Sequence, residues 1–331
     1  MPDSKTNWTL FVPIYNLVID SDMGGKLTIE RVTFVSSDKI PKIRRLKEPV
    51  FTKTRVYACI KTKRSADDTL SREFHRIQEA VYLLASSQFH REPRRRFLFG
   101  SPDATSQADE YLIIENNGQG GTSNHHRTHP FEPYRLNKEW KFYLKRHFFF
   151  DLIKIMNQDI KVDSKWRHTI RQAAILAGQS QFTTKIWESF LYNMIAIESL
   201  LVDFEDRSTR TKDVMTNRFV AIFGWLTNER LEEWKEKFYR LCDLRNKFVH
   251  TGNIRGIIDK DVIDTDTILA NLLRNICRLT EFFNSKRDII ELSKRLEARR
   301  ILGMEPSDRP QGISYSSRTI SELERKRLWW Q

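Results

Sequence analysis

From Leu136 onward every long segment of this chain repeats its apolar residues at the helical period, and that repeat constrains the fold most. Helices are expected near 138–156, 164–178, 183–204, 210–225, 228–251 and 261–298, which makes an all-α bundle over residues 136–300. The first third reads differently. Trp8–Val12 and Tyr15–Ile19 flank Pro13 as strands, and Asp22–Gly25 marks a turn. Leu27–Val35 alternates at period two as a strand, and Arg55–Ile60 forms another. An amphipathic helix over Asp67–Gln88 places Leu70, Phe74, Ile77, Val81 and Leu84 on one face, with short strands following at Arg96–Phe99 and Tyr111–Ile114. The expected fold class is therefore an α+β domain over residues 1–115 followed by an all-α bundle.

The two parts meet in a stretch with nothing to bury. Asn116–Pro130 is rich in Gly, Ser, Thr and Asn, so residues 116–135 read as a flexible linker. Its His125, His126 and His129 are expected to be solvated. A Gly-rich loop does not fix metal-ligand geometry, and no Cys or carboxylate is adjacent, so no metal or cofactor is expected. Beyond the bundle, residues 301–331 carry Pro306, Pro310, several Ser and a basic piece ending in Trp329 and Trp330. They read as a mobile basic tail. The first bundle helix is dense in aromatics (Trp140, Phe142, Tyr143, Phe148, Phe149, Phe150), which at helical spacing belong in a core rather than on a base-stacking surface.

Charge narrows the partner class. Lys and Arg number 56 against 43 Asp and Glu, a net charge of +13, which makes a polyanion the natural partner, nucleic acid first. The plainer alternative is a basic surface that serves solubility alone. Three scattered cysteines (Cys59, Cys242, Cys277) fit neither a disulfide framework nor a zinc site and suit a reducing compartment. The first residues carry no secretory pattern and no apolar run approaches a membrane span, so a cytoplasmic protein with no membrane association is expected. Phosphate-loop, dinucleotide and nucleophile-elbow motifs are missing from the sequence.

Chemistry concentrates in the helix Thr227–Thr251. Leu231, Trp234, Phe238, Leu241, Cys242, Phe248 and Val249 make one apolar stripe, and Arg245 falls in the middle of it. A guanidinium on a buried seam is costly unless something anionic meets it, be it a carboxylate or a phosphate. Asn246 and His250 lie one turn apart on the edge of the stripe, beside Tyr239. Upstream, Phe190–Phe204 carries the pattern Ala196-Ile197-Glu198-Ser199-Leu200, and downstream the run closes as Val249-His250-Thr251-Gly252.

Taken together, Arg245-Asn246-Lys247-Phe248-Val249-His250, the Glu198 helix and the closing Gly252 resemble the HEPN superfamily, in particular its Apea-like branch. The resemblance covers roughly residues 180–285. It implies a HEPN-type bundle that forms a homodimer, with two Arg-x4-His motifs facing each other across a symmetric cleft. It further implies metal-independent cleavage of RNA by the substrate's own 2′-hydroxyl, and a role as a toxin or anti-phage abortive-infection effector. On that reading His250 transfers protons, Arg245 stabilises charge on the phosphorane and Asn246 positions. Glu198 serves as a buried carboxylate paired with Arg245 or tunes His250. Tyr239 and Lys247 are supporting residues at the RNA edge, Lys247 being more simply a solvated face residue. The N-terminal domain would sense a trigger ligand or protein. Two alternatives stand beside this: a HEPN module that binds RNA or a nucleotide and scaffolds a partner, and a helical interaction module. The structural alternative for the motif itself is an Arg245 satisfied by Glu198 and a His250 that is a helix C-terminal cation complementing the dipole.

Overall fold

The computed structural model describes residues 8–14, 16–39, 56–62, 67–89, 111–114, 120–123, 133–183, 185–203, 206, 211–224, 228–304 and 310–316. They divide into two compact units. The first comprises residues 1–81 and 95–142, the second residues 82–94 and 143–331.

The first unit is built on a four-stranded antiparallel sheet in the order β1-β5-β4-β3, formed by β1 (Trp8–Ile14), β3 (Lys26–Ile29), β4 (Val32–Ser36) and β5 (Val56–Thr62). The alternation expected from the sequence is present: Val12, Ile14, Val32, Phe34, Val56, Ala58 and Ile60 are buried at every second position. Pro13 falls within β1, which is an edge strand and tolerates a residue without an N–H donor. The single strand expected over Leu27–Val35 is instead a hairpin. Its period slips by one residue at Glu30-Arg31, so Ile29 pairs with Val32 and Glu30 adopts φ +54° to turn the chain.

The expected linker is partly ordered. β6 (Tyr111–Ile114) pairs antiparallel with β7 (Gly120–Ser123), and β8 (Tyr134–Leu136) runs parallel to β2 (Leu17–Ile19). Buried Tyr134 accepts a 2.8 Å hydrogen bond from the Trp140 indole. His125, His126, His129 and the strand expected at Arg96–Phe99 lie outside the described residues.

The second unit is helical: α3 (Phe149–Met156), α4 (Ser164–Phe182), α5 (Ile186–Leu201), α6 (Thr211–Ile222), α7 (Asn228–Thr251), α8 (Asp259–Arg278) and α9 (Lys286–Ile301). It also takes in the end of α1 (Asp67–Ala85), and α2 (Lys138–Tyr143) leads into it. Two expected helices are broken. The one over 138–156 is interrupted where His147 takes an extended backbone and engages both ring nitrogens, one nearby and one far along the chain: Nδ1 accepts from the Phe149 N–H at 3.2 Å, while Nε2 meets the Phe89 carbonyl at 2.7 Å. The one over 261–298 becomes α8 and α9, because Ser285 and Asp288 form a capping box that starts a new helix. Of the aromatics near α2, Trp140, Phe148 and Phe149 are core, whereas Phe142 and Tyr143 are exposed.

α8 is the central helix, buried almost throughout and packed on α3, α4, α5, α6 and α7. Two of its buried polar residues are met from α5: the Asn193 amide donates to Thr265 at 3.0 Å and to Asp266 at 2.7 Å. The tail, expected to be mobile from residue 301, is docked at residues 310–316, where Ile313 is buried. Among the described residues no helix is long and apolar enough to cross a membrane.

Candidate active site

α6 and α7 are joined by a short connection and pack as an antiparallel pair, which brings the first turn of α6 beside the last turns of α7. Phe219 stacks on Phe238 at 4.7 Å and Phe223 meets Trp234 at 5.0 Å, fixing the register of the pair. α5 closes the third side. Between them lies a cleft of about 590 Å³ lined by Met194, Glu198, Thr211, Lys212, Asp213, Met215, Tyr239, Cys242, Arg245, Asn246 and His250. That volume suits a small ligand or a single nucleotide unit.

The apolar stripe of α7 runs as expected through Trp234, Phe238, Leu241 and Cys242, all buried, and then leaves the core. Val249, expected within the stripe, is 55% exposed, and Phe248 is only half-buried, stacked on Trp187 at 5.7 Å. The physical reason is local. Past Cys242 the cleft-facing positions of α7 are Arg245, Asn246 and His250, so polar side chains stand where the apolar stripe would run on. Arg245 and Glu198 form an ion pair with side chains 26% and 29% exposed, so Glu198 is a half-buried carboxylate on the cleft wall rather than the fully buried one expected. Arg245 also donates from Nη1 to the Asn246 Oδ1 at 3.1 Å.

The opposite wall comes from α6. The Tyr239 hydroxyl donates to the Asp213 carboxylate, which holds the phenol proton on and raises its pKa. The Lys212 ammonium bonds both oxygens of Asp243 at 2.6 Å and lies 4.5 Å from the centre of the Tyr239 ring. At the base of the cleft, burial pushes the Cys242 thiol up to about 12, so it stays protonated and is no nucleophile. His250 stands at the mouth, exposed and without a hydrogen-bond partner among the described residues. Lys247 is exposed and is not among the lining residues. Gly252 ends α7 at φ +65°, its N–H capping the Phe248 carbonyl at 2.7 Å.

Five of the six residues singled out from sequence (Arg245, Asn246, His250, Glu198 and Tyr239) thus share one cleft. Missed were Thr211, Lys212 and Asp213, whose place follows from the antiparallel pairing of α6 with α7 and has no local signature. Both cations on the walls already hold a carboxylate, Arg245 with Glu198 and Lys212 with Asp243, so an anion entering the cleft must exchange with one of them. Exposed and half-exposed pairs of this kind are worth about 1 kcal/mol or less, so the exchange is cheap. No group of three or more His, Cys, Asp or Glu among the described residues is arranged to hold a metal ion. Comparison with protein-family models, with curated proteins and with solved structures returns no match for the chain.

Proposed function

We propose that this protein is a metal-independent endoribonuclease of the HEPN type. The observation that carries the reading is the convergence of Arg245, Asn246 and His250 on one ligand-sized cleft, with Glu198 and Tyr239 on its walls. RNA brings its own nucleophile, the 2′-hydroxyl, so the protein needs a proton acceptor, a proton donor and positive charge on the phosphorane. His250, solvent-accessible and hydrogen-bonded to no described residue, moves the proton. Arg245, released from Glu198 or sharing its fork with it, meets the non-bridging oxygens. Asn246, one turn from His250, holds a phosphate oxygen or the imidazole. The bond from phosphorus to the 5′-oxygen breaks as the 2′-oxygen bond forms, leaving a 2′,3′-cyclic phosphate and a free 5′-hydroxyl.

One copy supplies one His250, and the acid and base steps call for two groups. A homodimer with paired clefts meets that need, since an isologous interface presents every residue twice. A cytoplasmic toxin or anti-phage abortive-infection effector, with the N-terminal unit as sensor of a trigger ligand or protein, is the matching biological role.

A second reading is favoured by the pairing of both wall cations with carboxylates: a non-catalytic module that binds RNA or a nucleotide and scaffolds a partner. One experiment separates the two. Purified protein is incubated with total RNA in excess EDTA, beside a correctly folded His250→Ala variant. Cleavage by the wild type with cyclic-phosphate ends, lost in the variant while RNA binding persists, is the expected result. Salt-sensitive RNA binding with no cleavage by either protein leaves the binding module.

A further inference from the structure

Within the second unit, the segment of residues 313–316 is held against α8 by its main chain. Two buried asparagines one helical turn apart on α8 each clasp one residue of it by both main-chain groups. Asn275 donates to the Ser314 carbonyl at 3.0 Å and accepts from the Ser314 N–H at 3.1 Å. Asn271 donates to the Ser316 carbonyl at 2.9 Å and accepts from the Ser316 N–H at 2.8 Å. The spacing explains why the clasp repeats. Four residues of helix rise about 6 Å, and two residues of extended chain advance about 6.6 Å, so an Asn-x3-Asn face matches every second residue of a strand. Arg274, between them, adds a 2.7 Å bond to the Ser314 carbonyl.

On either side of Ser314 the side chains of Ile313 and Tyr315 turn inward. Ile313 is 2% exposed, and the Tyr315 ring lies 5.2 Å from Phe223 and 6.1 Å from Trp234. Gly224 makes room for it: a Cβ there would come within 2.7 Å of the Tyr315 Cβ. Main-chain bonds read an extended peptide of any sequence, and alternate pockets read its side chains, as in recognition by strand addition. With the segment in place Asn271 and Asn275 are at most 1% exposed, and emptying the groove would take one main-chain donor and one main-chain acceptor from each amide.

We propose that the α8 face bearing Asn271, Arg274 and Asn275, with the aromatic pocket of Phe223 and Trp234, is a peptide-binding site. Its ligand is an extended segment with an apolar residue two positions before an aromatic one. In this chain Ile313–Ser316 fills the site in cis, and the same segment supplied in trans exchanges with it. The site also touches the cleft's framework, because the Asn275 amide donates to the last carbonyl of α6, Ile222, at 2.7 Å. Occupancy therefore braces the helix whose other end forms a wall of the cleft.

The test uses a fluorescent peptide of residues 309–318 and the full-length chain. Wild type should bind it weakly, because the tethered segment competes at an effective concentration on the order of millimolar. A full-length Ile313→Asp/Tyr315→Ala variant should bind at least tenfold more tightly. That gain should vanish on adding Asn271→Ala and Asn275→Ala, and equally with a peptide N-methylated at its two clasped serines. Equal affinity for wild type and variant, or indifference to the asparagines and to N-methylation, overturns the proposal. Should the double variant fail to fold, Ser314→Pro removes one clasped N–H and leaves both pockets filled. If that chain fails to fold as well, the segment is an integral part of the core and not an exchangeable ligand.

Discussion

Arg218 is 4% exposed and has its charge met inside the bundle. It donates to both oxygens of Asp206, at 2.5 and 2.9 Å, and to the Leu201 carbonyl at 2.6 Å, tying α6 to the end of α5. Partial burial alone would push the Asp206 carboxyl up. The Arg218 hydrogen bonds, the Asp203 N–H and the charges of Arg218 and Lys286 outweigh it and hold the pKa below the usual carboxylate value. A carboxylate lowered by folding contributes stability that is full above its unfolded pKa of about 3.9 and fades as pH falls through the folded value. Asp206→Asn should therefore cost about 3 kcal/mol near neutrality, since it leaves a buried guanidinium without its anion. Urea unfolding between pH 2 and 7 should show the gap to wild type closing below about pH 4. A gap that stays constant across that range would rule out the ion pair as its source. Nothing in the sequence marks this pair, because Asp206 and Arg218 lie twelve residues apart and meet only in the folded chain. Arg245 was legible because its own helix supplies the contradiction, a charge on an apolar stripe.

Among the helices, α4 comes close to the end of α1 at Gly178. A Cβ there would sit 1.9 Å from the carbonyl oxygen of Tyr82, at the end of α1. Backbone cannot swing aside as a side-chain end can, so the two helices would have to part. Gly178→Ala, normally favourable in a helix, should instead destabilise by about 3 kcal/mol, read as a lower midpoint in thermal or denaturant unfolding. A neutral or stabilising result would show that α4 does not lie against α1 there. The contrast with α7 explains what the sequence reveals of the elements. The bounds of α7, Asn228–Thr251, agree with the expected 228–251, because the apolar period and Gly252 act along one helix. The broken helices fail for the opposite reason. Their apolar period runs on across the breaks at His147 and Ser285, and the break lies in hydrogen bonds that period does not encode. The docking of Ile313–Ser316 has no local signature for the same reason: its partners, Asn271, Arg274 and Asn275 of α8 and the rings of Phe223 and Trp234, are distant in sequence.

For the molecule as a whole, the proposed chemistry turns on how many chains complete the cleft. Ile195 on α5 and Val249 on α7 are large apolar residues left 44% and 55% exposed on the two helices that carry Glu198 and His250. The proposed nuclease assigns acid and base to His250 of two copies, and that arrangement has a consequence in mixtures. Suppose wild type and His250→Ala are unfolded together, refolded at equal amounts and assayed at fixed total protein. Random pairing leaves about a quarter of the dimers with both imidazoles. If catalysis needs both, activity should fall to about a quarter of that of the same amount of wild type. If each chain works alone, it should fall only to about half, in proportion to wild-type content. A Val249→Glu variant supplies the complementary measurement. A charge in a dimer seam should raise the monomer fraction in light scattering and lower activity most at dilute protein, where mass action favours dissociation. Half activity in the mixture, together with an unchanged mass for Val249→Glu, would place acid and base within one cleft. The lining residues Tyr239 and Asp213 would then be the next groups to test for the second proton transfer.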